Sequence, residues 1–190
     1  MHLCTVDSRI ILGIDPGTNL LGYGIVEIKG KDMKLLGVGV VKLAKLADHG
    51  EKLHHIYEKI TGLIDGFSAT EVAIEAPFYG KNVQSMLKLG RAQGVAIAAA
   101  ISKDLKVYEY SPKKIKQSVT GNGNASKEQV ASMLYNLLKF ETLPETTDAT
   151  DAVAAAVCHF FQFSPQEFGI KKSTGGWKQF ISDNPNKVKK

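Results

Sequence analysis

Residues 9–29 read RIILGIDPGTNLLGYGIVEIK, two apolar segments separated by an Asp-Pro-Gly turn signal. The first segment, 9–15, predicts a short buried strand because a brief apolar run ends at residues typical of a turn. The second, 21–29, is rich in Val, Ile and Gly, and a similar third segment, 33–43, follows the turn signal Lys-Gly-Lys-Asp. Segments joined in this way form hairpins. We therefore expect the first three strands to be antiparallel.

The rest of the chain alternates between helix and strand patterns. Two short apolar runs, at 72–75 and 105–110, each follow a helical pattern and predict further strands. Helical spacing of apolar residues and capping signals predict helices over 48–67, 82–102 and 148–163. Ser126 is predicted to cap a further helix that ends at residue 140, and Pro112 to open a brief one. This order predicts an α/β fold with a five-stranded mixed sheet flanked by helices.

Charge is distributed unevenly along the chain. The net charge is +5 over 190 residues, and six lysines against two acids between residues 165 and 190 account for four of those five charges. Helical periodicity stops after Ser164, where Gly, Lys, Asn and Pro dominate. We predict a single domain over 1–164, nearly neutral in charge, followed by a flexible basic tail over 165–190. Such a positive charge favours an anionic binding partner.

Composition excludes several classes of protein. Apolar residues make up 44% of the chain, enough for a core, yet no run of about 18 apolar residues predicts a membrane span. The first eight residues lack the basic and apolar regions of a secretion signal. The two cysteines, Cys4 and Cys158, have no zinc-site spacing. We expect a cytoplasmic protein that does not enter membranes.

Two acidic residues end predicted buried strands. Asp15 closes the first strand and Glu75 closes the run VAIE at 72–75. Strand ends are where sites are built in open sheets. For Asp15 alone, a simple turn cap before Pro-Gly is an equally good interpretation, and the second strand-end acid strengthens the case for a site.

A second acidic pair begins the last predicted helix. Asp148 and Asp151 are three residues apart, which places both carboxylates on one helical face. Alone they could simply favour the helix N-terminus through its dipole. The helix continues with Ala152 and the alanines at 154–156, a surface small enough to lie flat on a sheet and bring its start near the strand ends.

Four carboxylates brought together predict a metal site for phosphoryl chemistry. Like charges at close range repel, and a divalent cation neutralises them. All-oxygen ligation favours Mg²⁺ or Mn²⁺ over zinc. Multi-carboxylate sites of this type support two-metal phosphoryl transfer, so the predicted substrate is a phosphodiester.

Five ordered motifs resemble one known family. They are GIDPGTNLLGYG (13–24), AIEAPFYGKN (73–82), KLGRAQGVA (88–96), KQSVTGNGNASKEQV (116–130) and DATDAVAAAVCH (148–159). Together they resemble the RuvC-type crossover junction endodeoxyribonucleases, the bacterial Holliday junction resolvases, over residues 10–162. The resemblance implies a ribonuclease H-like fold.

The resemblance also implies roles for particular residues. Asp15, Glu75, Asp148 and Asp151 match the family's four acidic catalytic and metal-binding positions, which hold Mg²⁺ or Mn²⁺ as two ions per subunit. Phe78 matches an aromatic wedge that stacks on bases at the junction centre, although a core phenylalanine is the alternative. The further DNA-binding positions are Lys81, Asn82, Lys116 and Lys127. From the residues alone, solvated lysines are the simpler interpretation of the last two.

The family's activity and partners follow as expectations. They are metal-dependent resolution of four-way junction DNA by symmetric paired nicks, leaving 5′-phosphate and 3′-hydroxyl ends, a homodimer, and partnership with the RuvA and RuvB branch-migration proteins. The helix containing Gly90 and Gly94 resembles the dimer helix, with packing inside one chain as the alternative.

His159 lies about 12 Å along the helix from Asp151, which predicts a packed histidine rather than a ligand. Cys158 is predicted to be a buried thiol.

Three other classes compete with this interpretation. Sugar kinases and actin-like ATPases share Asp-x-Gly-Thr between two strands, but they need a second lobe and give no reason for Glu75 or for the pair Asp148 and Asp151. RuvC-like nucleases of RNA processing would not require the motif KLGRAQG. A catalytically inactive junction-binding protein would not need four intact acids.

Overall fold

Five strands form one mixed sheet within the residues that the computed structural model describes, 8–77, 82–139 and 146–163. The strands are β1 (Arg9–Asp15), β2 (Leu20–Lys29), β3 (Asp32–Lys42), β4 (Glu71–Glu75) and β5 (Lys106–Tyr110). Their order in the sheet is β3-β2-β1-β4-β5. β1, β2 and β3 pair antiparallel, whereas β4 pairs parallel with β1 and with β5. This confirms the predicted five-stranded sheet with three antiparallel strands first.

Five helices of the described ranges flank the sheet. They are α1 (His49–Phe67), α2 (Val83–Ile101), α3 (Pro112–Thr120), α4 (Lys127–Leu138) and α5 (Thr147–Phe163). The predicted starts of α1 and α2 are one residue early because Asp48 and Asn82 are N-caps, whose side-chain oxygens accept backbone N–H groups of the first turn. The prediction that Ser126 caps α4 is confirmed. Residue 140, the predicted end of α4, lies outside the described residues. No described helix is both long and apolar enough to span a bilayer.

The sheet separates two hydrophobic cores. Because side chains alternate along a strand, Ile11 of β1 packs with α3, α4 and α5, while its neighbour Leu12 packs with α1 and α2. Both side chains are fully buried. The architecture is therefore three layers, with helices on both faces of the sheet.

Glycines on the sheet and alanines on α5 set the position of the last helix. A Cβ atom at Gly13 would lie 2.0 Å from the carbonyl oxygen of Ala152, and one at Gly22 would lie 2.0 Å from that of Asp148. Such distances exclude any side chain, so the backbones of α5 and the sheet are in direct contact. This confirms the expectation that the alanine surface lies flat on the sheet, and it places the first turn of α5 over β2.

Candidate active site

Asp15 and Glu75 are adjacent at the carboxyl edge of the sheet. In the parallel pair formed by β1 and β4, Ile14 is in register with Ile74, so the next residue of each strand is one of the two acids. Both acids are partly buried at the point where their strands end. The prediction that two strand-end carboxylates lie close together is confirmed.

The second acidic pair lies at the same edge. Gly22 is paired with Asp15 across the antiparallel ladder, and the carbonyl of Asp148 lies against Gly22. The first turn of α5 is therefore held beside the end of β1, and Asp151 follows one turn later. We refer to Asp15, Glu75, Asp148 and Asp151 as the acidic cluster.

Burial and mutual repulsion perturb the acids at the strand ends. Burial, followed by the charges of Glu75, Asp151 and Asp148, raises the pKa of Asp15 to about 8. Burial and the charge of Asp151 raise the pKa of Glu75 to about 7. A carboxyl group in such surroundings takes up either a proton or a nearby cation. The acidic cluster is therefore a site that favours positive charge.

Lys127 supplies one positive charge directly. Its Nζ donates a hydrogen bond to Asp151 Oδ2 at 2.6 Å. A capping box formed by Ser126 and Gln129 fixes Lys127 as the first residue of α4. The lysine side chain is 54% exposed and that of Asp151 is 20% exposed, so the contact lies at the rim of the site. Lys127 is therefore a solvated lysine that is also paired with an acid of the site.

The remaining residues assigned to DNA occupy different situations. Lys116 lies on α3, and its charge lowers the pKa of Glu75, which places it within electrostatic range of the acidic cluster. Asn82 caps α2, its Oδ1 accepting a hydrogen bond from the backbone N–H of Ser85 at 3.1 Å. Phe78 and Lys81 lie outside the described residues. The assigned DNA contacts stay predictions.

The donor set of the acidic cluster fits a hard divalent cation, because it offers carboxylate oxygens and no sulfur or imidazole. Within the described ranges, however, no three side chains of Asp, Glu, His or Cys are grouped so as to enclose an ion. The chemistry of the ligands therefore fits Mg²⁺ or Mn²⁺, while their present side-chain positions do not form a closed coordination site.

A polar cavity of about 380 Å³ adjoins the turn that follows Asp15. Thr18 of this turn lines it together with Lys52 of α1 and Lys88 of α2. Lys52 donates a hydrogen bond to the Thr18 carbonyl at 3.2 Å. In the part of the chain that the structure describes, neither lysine is paired with a carboxylate. Sequence reasoning missed this cavity because α1 and α2 are far apart along the chain.

One face of α2 has no partner among the described residues. A Cβ atom placed on Gly90 or Gly94 would meet no described atom within 4 Å. The same helix exposes Val83, Leu87 and Ile101, the first of them by 69%. The alternative that the two glycines pack within one chain therefore does not hold for the described residues.

A charged network at the opposite edge of the sheet was not predicted. Arg9 donates hydrogen bonds from Nε and Nη2 to the two carboxylate oxygens of Glu71, each at 2.7 Å. His159 is fully buried, with Nε2 against Glu71 and Nδ1 2.7 Å from the Tyr110 hydroxyl. The hydrogen bonds from Arg9, then that from His159, lower the pKa of Glu71 to about 2. The prediction of a packed His159 is confirmed.

Cys158 is confirmed as a buried thiol. Its Sγ lies 3.3 Å from the Ser118 hydroxyl, and burial raises the pKa of the thiol. A raised pKa keeps the sulfur protonated and unreactive. This cysteine therefore belongs to the packing between α3 and α5.

Comparisons with known proteins agree with this architecture. The family model described as "Crossover junction endodeoxyribonuclease RuvC" matches residues 11–159. A protein of that name from Cytophaga hutchinsonii is 60% identical over 97% of this chain and 90% of its own length. Another from Porphyromonas gingivalis is 55% identical over 96% of this chain and 98% of its own length.

Solved structures give the same result. The structure of Thermus thermophilus RuvC in complex with a Holliday junction substrate is 32% identical, covers 85% of this chain and 97% of its own, and has a TM-score of 0.78. The yeast mitochondrial Holliday junction resolvase Ydc2, at 14% identity and a TM-score of 0.66, shares the fold. The ribonuclease H-like fold is thereby confirmed. Since the family model spans most of the chain and the relatives match nearly all of it, the chain belongs to the RuvC family of crossover junction endodeoxyribonucleases.

Proposed function

We propose that this protein is a metal-dependent, structure-selective endodeoxyribonuclease that resolves Holliday junctions in homologous recombination and DNA repair. It makes symmetric paired nicks and leaves 5′-phosphate and 3′-hydroxyl ends. The observation that carries the proposal is the convergence of two strand-end acids and the first turn of α5 at one edge of the sheet. The T. thermophilus relative, whose structure contains a Holliday junction substrate, supports the choice of DNA.

The acidic cluster would hold two divalent ions, Mg²⁺ or Mn²⁺, through Asp15, Glu75, Asp148 and Asp151. Bound there, they would supply the charge stabilisation that the attacking and leaving oxygens of a phosphodiester require. The protein itself contributes the positions of the carboxylate ligands. Asp15 and Glu75 extend from the ends of paired strands, which hold their backbones side by side.

Cations around the acidic cluster would hold the DNA backbone. Lys116 and Lys127 lie on α3 and α4 near the acids, and Lys52 and Lys88 line the adjoining cavity. Each lysine can neutralise a phosphate without reading sequence. We assign Phe78 to stacking on bases, and Lys81 and Asn82 to contacts near it, from their position in the family motif. In Asn82 this contact would coexist with its capping of α2.

A two-fold dimer would place two such sites on one junction. A four-way junction cut symmetrically requires two equivalent active sites, which a two-fold dimer supplies. The uncovered face of α2 suits this interface, since Gly90 and Gly94 permit close backbone approach and Leu87 and Ile101 provide apolar area. Partnership with RuvA and RuvB is carried over from the resemblance.

A synthetic four-way junction labelled on each strand tests the proposal. We expect paired nicks at symmetric positions in opposite strands when Mg²⁺ or Mn²⁺ is added, and none in chelator. Ligation of the nicked products would report the expected 5′-phosphate ends. A linear duplex of the same sequence is the matched control. Binding of the junction without nicking at any metal concentration would contradict the assignment as a nuclease.

A further inference from the structure

Lys127 interacts with the acidic cluster both by direct contact and through longer-range electrostatics. Besides its 2.6 Å hydrogen bond to Asp151, its pKa is raised by the charges of Asp151, Asp15 and Asp148. Among the described residues it is the only cation in direct contact with one of the four acids. Lys116 acts on Glu75 only at longer range.

The position of Lys127 in α4 is unfavourable for the helix itself. The first helical residue faces the positive end of the helix dipole, where an acidic side chain is preferred to a basic one. Ser126 and Gln129 already satisfy two backbone N–H groups of this turn through the capping box. Helix stability therefore does not account for a lysine here, whereas the carboxylate of Asp151 does.

The contact occupies one carboxylate oxygen of the acidic cluster. With the ammonium against Oδ2, part of the Asp151 carboxylate is engaged before any ion is bound. We propose that Lys127 is the counter-ion of the metal-free acidic cluster and competes with divalent metal for Asp151. This inference rests on the proposed function, because it concerns the same acids.

Exposure of the lysine makes such an exchange feasible. More than half of the Lys127 side chain is accessible to solvent, and its flexible four-carbon stem can move while α4 stays in place. An ammonium released from Asp151 is free to contact a DNA phosphate at the rim of the site. By linkage, DNA that draws Lys127 away raises metal affinity, and metal raises the affinity of Lys127 for the phosphate.

Calorimetric titration of the DNA-free full chain with Mn²⁺ tests the competition. We expect Lys127→Gln to bind Mn²⁺ at least about fivefold more tightly than the wild type, because a competing ion pair at a partly exposed site is removed. Lys116→Gln removes the same charge without removing a contact to an acid. For this control we expect a change of less than about twofold.

Thermal unfolding separates competition from a purely structural role. We expect Lys127→Gln to have a lower Tm than the wild type in chelator and an equal or higher Tm in saturating Mn²⁺. A structural contact alone would lower the Tm in both conditions. Equal or weaker Mn²⁺ affinity in Lys127→Gln overturns the inference, as does a Tm deficit that persists with metal.

A measurement on the wild type covers the case in which the variant does not fold. Acetylation of lysines, followed by peptide mass spectrometry, should show Lys127 protected in chelator and more reactive when Mn²⁺ is present, with Lys116 unchanged. Unchanged reactivity of Lys127 contradicts the inference. Failure of the wild type to bind Mn²⁺ at all contradicts the proposed metal-dependent function as well, whereas saturable binding without these effects contradicts only the role of Lys127.

Discussion

The two ends of the parallel pair β1 and β4 each place a partly buried glutamate in opposite electrostatic surroundings. At the amino end Glu71 accepts two hydrogen bonds from Arg9 and contacts His159, and these partners lower its pKa to about 2. At the carboxyl end Glu75 lies beside Asp15, and burial together with the charge of Asp151 raises its pKa to about 7. The same pair of strands thus carries one carboxylate that is held by hydrogen-bond donors and one that lies among other acids.

This difference separates stability from function within one sheet. At the amino end Arg9 and His159 already serve as partners of Glu71, so these contacts stabilise the fold without an added ion. The carboxyl end places acids together, and among the described residues Lys127 alone is a cation in direct contact with them, so their mutual repulsion favours binding of a further cation. Residues whose pKa is perturbed by like charges in this way are the better candidates for a functional site.

The largest expected effect comes from altering the carboxyl end. Asp15→Asn keeps the shape of the side chain and removes one charge from the acidic cluster. We expect junction cleavage to fall about 10³-fold, the scale of losing a preorganised electrostatic group, while junction binding is retained. Cleavage and binding are measured on the same labelled junction.

Asp32→Asn is the matched control for this change, since Asp32 is an exposed residue at the start of β3. It should leave both cleavage and binding unaltered. If Asp15→Asn lost binding and cleavage to the same extent, Asp15 would act in DNA binding or folding rather than as a metal ligand.

A change at the amino end should instead lower the stability of the fold. Glu71→Gln leaves Arg9 without its carboxylate and the buried His159 without a charged partner, so we expect the free energy of unfolding to fall by about 3 kcal/mol at pH 7. Because the pKa of Glu71 in the folded state lies below its ordinary value, its stabilisation is present above about pH 4.5 and is lost as the pH falls towards 2. The deficit of the variant should shrink over that range in urea titrations.

Glu109→Gln on the neighbouring strand β5 provides the comparison. Glu109 is exposed and accepts one hydrogen bond from Gln93, so its replacement should cost less than about 1 kcal/mol. A deficit of similar size in both variants would mean that the Arg9 and His159 contacts of Glu71 contribute nothing specific.

Sequence reasoning located the acidic cluster because its parts depend on local patterns. Asp15 and Glu75 each end a short apolar run, and the parallel pairing of their strands brings them together. The alanines of α5 predicted a flat helix surface. The glycines of β1 and β2 that allow α5 to approach the sheet closely were not recognised from the sequence.

Contacts between distant segments could not be predicted in the same way. Glu71 and His159 are 88 residues apart, and Lys127 and Asp151 are 24 apart, so each contact depends on how complete elements pack. Glu71 also precedes the apolar run of β4, where a solvated glutamate is the ordinary interpretation. Local pattern therefore indicates where acids gather, and tertiary packing determines which of them find a cation.

The same Asp15→Asn variant should gain stability when metal is absent. In chelator at pH 8 we expect its free energy of unfolding to exceed that of the wild type by at least about 1 kcal/mol, since one repelling charge is removed. The folded-state pKa of Asp15 is raised to about 8, so its destabilisation is absent below about pH 3.8 and grows as the pH rises. A gain that is the same at pH 4 and pH 8 would argue against charge repulsion.

The smallest effect concerns the single hydrogen bond between His159 and Tyr110, the last residue of β5. Tyr110→Phe removes the hydroxyl that lies 2.7 Å from His159 Nδ1 and leaves the ring in place. We expect the free energy of unfolding to fall by about 1 kcal/mol, because the buried ring nitrogen loses a partner, and cleavage to be unchanged. Tyr57→Phe removes an exposed hydroxyl bonded to Ser102 and should cost less. If Tyr110→Phe impaired cleavage instead, the contact of His159 would bear on the acidic cluster, since Tyr110 is in register with Glu75, and the separation of stability from function would fail.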